Sequence, residues 1–140
     1  MSSTSVSNKK SIQYSNSIVK RAERAISCSP FKLALFATMR NQSVSLGNIS
    51  GQTGIDRGYA KKILSEPKVE SELTWLIQVG LLRREVDGQG ITDSFRLTPL
   101  GRQLVEKWEA KGGYFPTPSQ WELLFNNLQK TTSIFLSSIG

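Results

Sequence analysis

Apolar residues recur at helical spacing in the first third of the chain. From about Asn16, five of them lie on one stripe, which predicts an amphipathic helix with a basic outer face. These five are Ile18, Val19, Ala22, Ala25 and Ile26. Ser29 followed by Pro30 is typical of a helix start. Residues 31–39 are apolar almost all round, so we expect a central core helix there.

The next segment predicts a short helix followed by a turn. Residues 45–53 bury Leu46 and Ile49 when they are placed on a helix. Gly54 suits a left-handed position that ends this helix, and the apolar Ile55 after it should be buried.

A third helix is expected over residues 57–65. Asp56 can cap its first turn, and Ala60 and Leu64 turn inward at a spacing of four. Pro67 should end it, because proline cannot donate a backbone hydrogen bond within a helix.

The second half predicts a helix, a β-hairpin and two further helices. The apolar stripe of residues 69–79 indicates a fourth core helix, which Gly80 closes. Two alternating runs, residues 81–86 and 91–97, surround a glycine-rich turn and predict a hairpin. A helix should follow from Thr98 to about residue 112, and a last one from about Pro118.

Length and termini favour one intracellular unit. Residues 1–15 are expected to be a disordered basic arm, residues 16–112 a compact domain, and residues 113–140 a C-terminal helix. Neither a run of eighteen apolar residues nor a signal peptide is present, so we expect no membrane association and a cytoplasmic location. The single cysteine, Cys28, excludes an internal disulfide and should be half-buried.

The chain contains no histidine. This absence excludes histidine-dependent nucleophiles, histidine general bases and most zinc sites. The acidic residues are scattered, and no glycine loop could cradle a phosphate. We therefore expect neither an enzyme nor a bound cofactor or metal. The three tryptophans Trp75, Trp108 and Trp121 lie on apolar stripes and should serve the core or an interface.

Charge points to a phosphate-bearing partner. The net charge is +7, and its excess lies wholly in residues 1–68, where Lys and Arg exceed Asp and Glu by eight. Residues 69–98 carry a net charge of −2. A basic first half favours a nucleic-acid partner, whereas an acidic or neutral surface there would have favoured a protein partner.

The order of predicted elements resembles the winged helix-turn-helix superfamily over residues 29–108. The residues that carry the resemblance are Leu46-Gly-Asn-Ile49, Thr53-Gly-Ile-Asp56, the Ala60 and Leu64 pair, Gly80-Leu-Leu-Arg-Arg84 and Phe95-Arg-Leu-Thr-Pro-Leu-Gly101. The last stretch looks like the end of the wing in MarR-type and PadR-type regulators. The implied fold is mainly α with a small β-hairpin, a winged helix-turn-helix with flanking N- and C-terminal helices.

The resemblance implies a binding face for double-stranded DNA. It would consist of Arg57, Gly58, Tyr59, Lys61, Lys62, Arg83 and Arg84. The helix of residues 57–65 would enter the major groove, with Arg57 and Lys61 reading bases and Lys62 and Arg84 holding phosphates. The short acidic wing tip, residues 87–90, favours the helix over the wing as the main contact.

One apolar stripe lies beyond the span of the resemblance. It consists of Trp121, Leu124, Phe125, Leu128 and Phe135. Because soluble monomers rarely expose such a patch, we expect it to form the interface of a homodimer.

These features together predict a sequence-specific DNA-binding transcriptional regulator associated with the nucleoid. One alternative is a winged-helix module for protein interactions in a larger assembly, since fold alone does not give function. A replication or partition factor would have the same features. RNA binding is disfavoured because no aromatic-rich sheet is predicted. The operator, the sign of regulation and any effector ligand stay open.

Overall fold

Helices and a small three-stranded antiparallel sheet make up the part of the chain that the computed structural model describes, residues 13–113 and 126–131. In chain order the elements are α1 (Asn16–Ser27), α2 (Leu33–Asn41), β1 (Val44–Ser45), α3 (Leu46–Ile49), α4 (Gly51–Asp56), α5 (Glu66–Gln78), β2 (Leu82–Asp87), β3 (Gly90–Leu97) and α6 (Pro99–Ala110). Residues 126–131 are also helical.

The sheet has the strand order β1-β3-β2. The expected hairpin is confirmed: β2 pairs with β3 from Leu82 opposite Leu97 to Asp87 opposite Gly90, with an irregularity between Arg84 and Val86. β1 adds a third strand by pairing with the other edge of β3. Because β1 has only two residues, no alternation along the sequence could reveal it.

The core lies between the helices and one face of the sheet. Phe31 and Phe36 meet edge to face, with ring centroids 6.2 Å apart. Trp75 and Trp108 are buried, as the apolar stripes predicted. Other fully buried side chains include Ile26, Leu35, Met39, Ile49, Leu73, Leu76, Leu81 and Phe95. Burial of these large side chains supplies the main driving force for folding.

Hydroxyl groups cap three of the helices. Ser15 Oγ accepts from the amide of Ile18 at 3.4 Å at the start of α1. Thr98 Oγ1 accepts from the amide of Gly101 at 3.1 Å, which confirms the predicted start of α6. Ser65 caps α5 in the same way. At the far end of α5, Gly80 has the predicted left-handed backbone, with φ +87°.

The core helix predicted to start at Pro30 begins later, at Leu33. The carbonyl of Pro30 accepts a hydrogen bond from the amide of Lys61 at 2.9 Å, and Phe31 forms an antiparallel bridge with Ala60. These strand-like contacts hold the chain extended, so the proline-initiated helix predicted for this position was wrong.

The helix predicted over residues 45–53 is divided in two. Gly51 has φ +64°, and its amide donates to the carbonyl of Leu64 at 2.7 Å, so the chain turns between α3 and α4. Gly54 was expected in the left-handed region but lies inside α4. Its lack of a side chain has another reason, because a Cβ here would collide with the backbone oxygen of Ile49.

The helix predicted over residues 57–65 is absent. Gly58 has φ +76°, and the amide of Tyr59 then donates to the carbonyl of Gly54 at 2.8 Å. The chain therefore doubles back to its bridge with Phe31. Ala60 and Leu64 are buried, as expected, but on an irregular segment. Pro67, which was expected to end a helix, lies in the first turn of α5 instead.

The helical residues 126–131 pack against α1 and α5. Asn126 is 4% exposed, and its Oδ1 accepts from Trp75 Nε1 at 3.1 Å. Arg24 of α1 donates to Oε1 of Gln129 at 3.0 Å. Within the described ranges, no helix has the length and apolar character that crossing a membrane requires.

Candidate nucleic-acid interface

The segment that connects α4 to α5 carries three exposed cations. Arg57, Lys61 and Lys62 all lie at the surface. Two backbone hydrogen bonds hold the segment in place, from Lys61 to Pro30 and from Lys32 to Tyr59, each 2.9 Å long. We call residues 57–62 the basic segment. Its position is fixed by the core, although its conformation is not the helix that the sequence predicted.

Two of the expected contact residues have roles within the fold. Tyr59 is only 8% exposed and belongs to the hydrophobic core, whereas the resemblance implied that it faces DNA. Gly58 supplies the left-handed turn, for which a residue without a Cβ is favoured. Lys61 Nζ donates to the carbonyl of Ser29 at 3.1 Å, so this lysine also ties the basic segment to the end of α1.

The exposed face of α5 is polar and slightly acidic. Ser71 and Gln78 are exposed on it, and Thr74 is half-buried between them. These three positions lie on one side of the helix because residues three and four apart are neighbours. Glu66, Lys68 and Glu70 are exposed as well. The apolar stripe of residues 69–79 predicted only a core helix and gave no sign of this polar surface.

Arg83 and Arg84 lie at the base of the β2–β3 hairpin, and both are engaged in ion pairs. Arg83 donates to Glu85 at 2.9 Å. Arg84 donates to Glu70 of α5 at 3.0 Å, and its guanidinium lies 4.8 Å from the ring centre of Phe95. Arg84 therefore fastens the hairpin to α5, and both arginines already have a carboxylate partner.

The hairpin tip is apolar and acidic. Val86 and Ile91 pair across the strands and are 64% and 75% exposed, respectively. Asp87 Oδ1 accepts from the backbone amide of Gln89 at 2.7 Å, which shapes the turn. The tip therefore carries none of the lysines or arginines that would follow a phosphate backbone.

A charged cluster joins the C-terminal segment to α5. Glu72 has a side chain only 8% exposed, and it pairs with Lys130 at 2.8 Å and with Lys68 at 2.9 Å. Burial alone would raise the pKa of Glu72. The hydrogen bonds and the positive charges of Lys130 and Lys68 together outweigh burial and hold the pKa of this carboxyl below its usual value.

The expected dimer stripe lies largely outside the described residues. Of its five members only Leu128 is described, and its side chain is 57% exposed. Trp121, Leu124, Phe125 and Phe135 lie outside the described ranges. The neighbouring positions Asn126 and Lys130 face α5 instead. In residues 126–131, therefore, the polar side faces the core and Leu128 faces outward.

Cys28 is half-buried at the end of α1, as expected. Across residues 13–113 and 126–131, no three His, Cys, Asp or Glu side chains meet as a metal site would require.

The family model described as Npun_F0494-like matches residues 12–130. Comparison with curated proteins and with solved structures gives no match.

Proposed function

The chain belongs to the Npun_F0494-like family, and we propose that it binds double-stranded DNA as a winged-helix transcriptional regulator of the cytoplasm, associated with the nucleoid. The single observation that carries the proposal is the position of the basic segment. Its three cations lie exposed in the connection between two consecutive helices, shortly before α5. In helix-turn-helix proteins the second helix enters the major groove, so side chains in the connection before it lie close to the DNA.

The element order supports the winged-helix part of the proposal. A core helix, a short strand, three further helices and a hairpin follow one another, and the short strand completes a sheet of order β1-β3-β2. In this layout α3 and α4 form the supporting helix, α5 the reading helix, and β2 with β3 the wing. The close contact of Gly54 with Ile49 lets α4 fold tightly against α3.

This layout assigns roles that differ from those expected of a helix at residues 57–65. Ser71, Thr74 and Gln78 of α5 would reach base edges, since hydroxyl and amide groups can hydrogen-bond to bases. Arg57 and Lys62 would hold phosphates on the side of the basic segment, with Lys61 beside them. Arg84 would position the wing against α5 through Glu70.

The proposal includes a homodimer. Leu128 faces outward from a segment whose polar side is already bound to α5, which supports an apolar contact with a second copy. Sedimentation equilibrium at micromolar concentration should then give twice the chain mass of 15.6 kDa. A measured mass of one chain would refute the dimer but would not contradict the proposed DNA binding.

DNA binding is tested by fluorescence anisotropy with a labelled duplex over a range of salt concentrations. The logarithm of the binding constant should fall linearly with that of salt, by about 0.9 for each phosphate contact. The double variant Arg57→Gln/Lys62→Gln should bind more weakly and lower the slope by about 2, because two phosphate contacts are lost.

A matched control removes two exposed cations, one on α6 and one just after its last residue. Arg102→Gln/Lys111→Gln changes the net charge by the same amount at positions outside the basic segment. It should retain nearly the wild-type slope. Equal losses of affinity in the two double variants would mean that DNA binding depends only on net charge, and the proposed face would be refuted.

A second candidate function is a winged-helix module for protein interactions. The exposed apolar pair Val86 and Ile91 on an acidic hairpin tip favours it. The variant Val86→Thr/Ile91→Thr separates the two functions, because it should leave DNA affinity unchanged if the basic segment and α5 make the contacts.

A further inference from the structure

A lysine-rich cleft opens beside the basic segment. It has a volume of about 510 Å³ and lies between the end of α1, the basic segment, the start of α5 and residues 126–130. Four lysines line it: Lys61, Lys62, Lys68 and Lys130. Glu72 is the one acidic residue among the described residues that line it. The lining therefore has a formal charge of +3.

The cations in this cleft are only partly neutralised. Lys68 and Lys130 share the single carboxylate of Glu72, with N–O distances of 2.9 and 2.8 Å. One carboxylate balances one ammonium charge, so this group of three keeps a charge of +1. Lys62 is exposed at the same cleft. Lys68 also lies in the first turn of α5, where the positive end of the helix dipole adds to the attraction for an anion.

We infer that this cleft binds a phosphate group. A phosphomonoester carries close to two negative charges and three acceptor oxygens, so it can contact several ammonium groups at once. Lysine binds phosphate as a point charge without a fixed fork geometry, which suits four ammonium groups from three segments of the chain. A lone carboxylate would neutralise only one of the three surplus charges. The cleft has the size of a small-molecule site, although a DNA strand could supply the same phosphate.

The inference goes beyond the proposed function because it holds for a free phosphate compound as well as for DNA. The test is a titration of the ¹⁵N-labelled full chain with inorganic phosphate, followed by amide chemical shifts at constant ionic strength set with chloride. Saturable shifts are expected at residues that line the cleft, including Cys28, Lys62 and Asn126. Shifts that fail to saturate, or that spread evenly over all basic surfaces, would overturn the inference.

Two single variants test the lysines. Lys62→Gln and Lys68→Gln should each weaken phosphate binding about two- to fivefold, as expected for an exposed charge pair. Lys68→Gln leaves Glu72 its contact with Lys130, so the fold is preserved. Lys111→Gln, an exposed lysine at the end of α6, is the matched control and should bind phosphate as the wild type does. Equal weakening in all three variants would overturn the inference.

The source of the phosphate is separated by two further probes in the same titration. If a short duplex removes the phosphate-induced shifts, the DNA backbone occupies the cleft. If a 5′-mononucleotide saturates the cleft and the duplex does not compete, the ligand is a small phosphate compound. A wild-type chain that binds phosphate in the cleft but no duplex would refute the proposed function and retain this inference.

Discussion

Gly54 is the position where a single methyl group should test the packing of the helix pair α3 and α4. Although Gly54 lies within α4, an added Cβ would overlap the carbonyl oxygen of Ile49. A backbone oxygen cannot rotate away as a side chain can, so Gly54→Ala must separate α3 from α4. The carbonyl of Gly54 also accepts from the amides of Tyr59 and Ala60 at 2.8 and 3.2 Å. Displacement of α4 would therefore strain the basic segment too.

The expected loss follows from two opposing effects. A forced overlap in a packed site costs about 3 kcal/mol, the upper part of the usual range. Replacing glycine with alanine within a helix returns about 1 kcal/mol. The free energy of unfolding should therefore fall by about 2 kcal/mol. With a denaturant dependence of about 2 kcal/mol per molar urea, the unfolding midpoint would fall by about 1 M.

Gly47 provides the matched control. It lies in the neighbouring helix α3, and a Cβ there would meet nothing within 4 Å. Gly47→Ala should therefore keep the unfolding midpoint or raise it. The free energy of unfolding should rise by at most about 1 kcal/mol. Urea unfolding followed by circular dichroism measures both variants. If Gly54→Ala were as stable as Gly47→Ala, the contact between α4 and Ile49 would not exist as described.

Three further variants test the packing of the C-terminal segment and the ion pairs. Asn126→Ala leaves the buried Nε1 of Trp75 without its acceptor and should lower the free energy of unfolding by about 1 to 3 kcal/mol in urea titrations. Because folding lowers the pKa of Glu72, its contribution is present at neutral pH and is lost as pH falls through the folded-state pKa. The wild type should therefore lose more stability between pH 7 and pH 3 than Glu72→Gln does, and parallel pH profiles would contradict this. Arg40 pairs with Glu109 at 2.5 Å near the surface, so Arg40→Ala should cost less than about 1 kcal/mol in the same assay.

Elements with a long apolar period could be predicted from the sequence. The stripe from Ile18 to Ile26 gave α1, and the stripe from Val69 to Val79 gave α5. Local capping signals also predicted helix ends correctly: Thr98 caps the start of α6, and Gly80 ends α5. These features depend on residues close in sequence, which is why periodicity and capping rules can find them.

The candidate site was harder to predict because long-range contacts decide it. Ala60 and Leu64 have helical spacing, and both are buried, but the bridge from Ala60 to Phe31 replaces the helix. Such pairing joins residues far apart in the chain, and no local pattern reveals it. Pro67 is compatible with a helix end or a helix start, and Ser65 before it favours the start. The cations of the basic segment were correctly predicted to lie at the surface, but the helix predicted for them is absent.

Site selection from random duplex DNA with the purified full chain tests the central proposal most directly. We expect an enriched motif, palindromic if the protein is a dimer, because α5 would present Ser71, Thr74 and Gln78 to base edges. Gln78→Ala should change the enriched motif, whereas Lys62→Gln should weaken binding and leave the motif unchanged. A pool that stays random after repeated rounds, or a motif that Gln78→Ala and Lys62→Gln alter equally, would contradict DNA reading by α5.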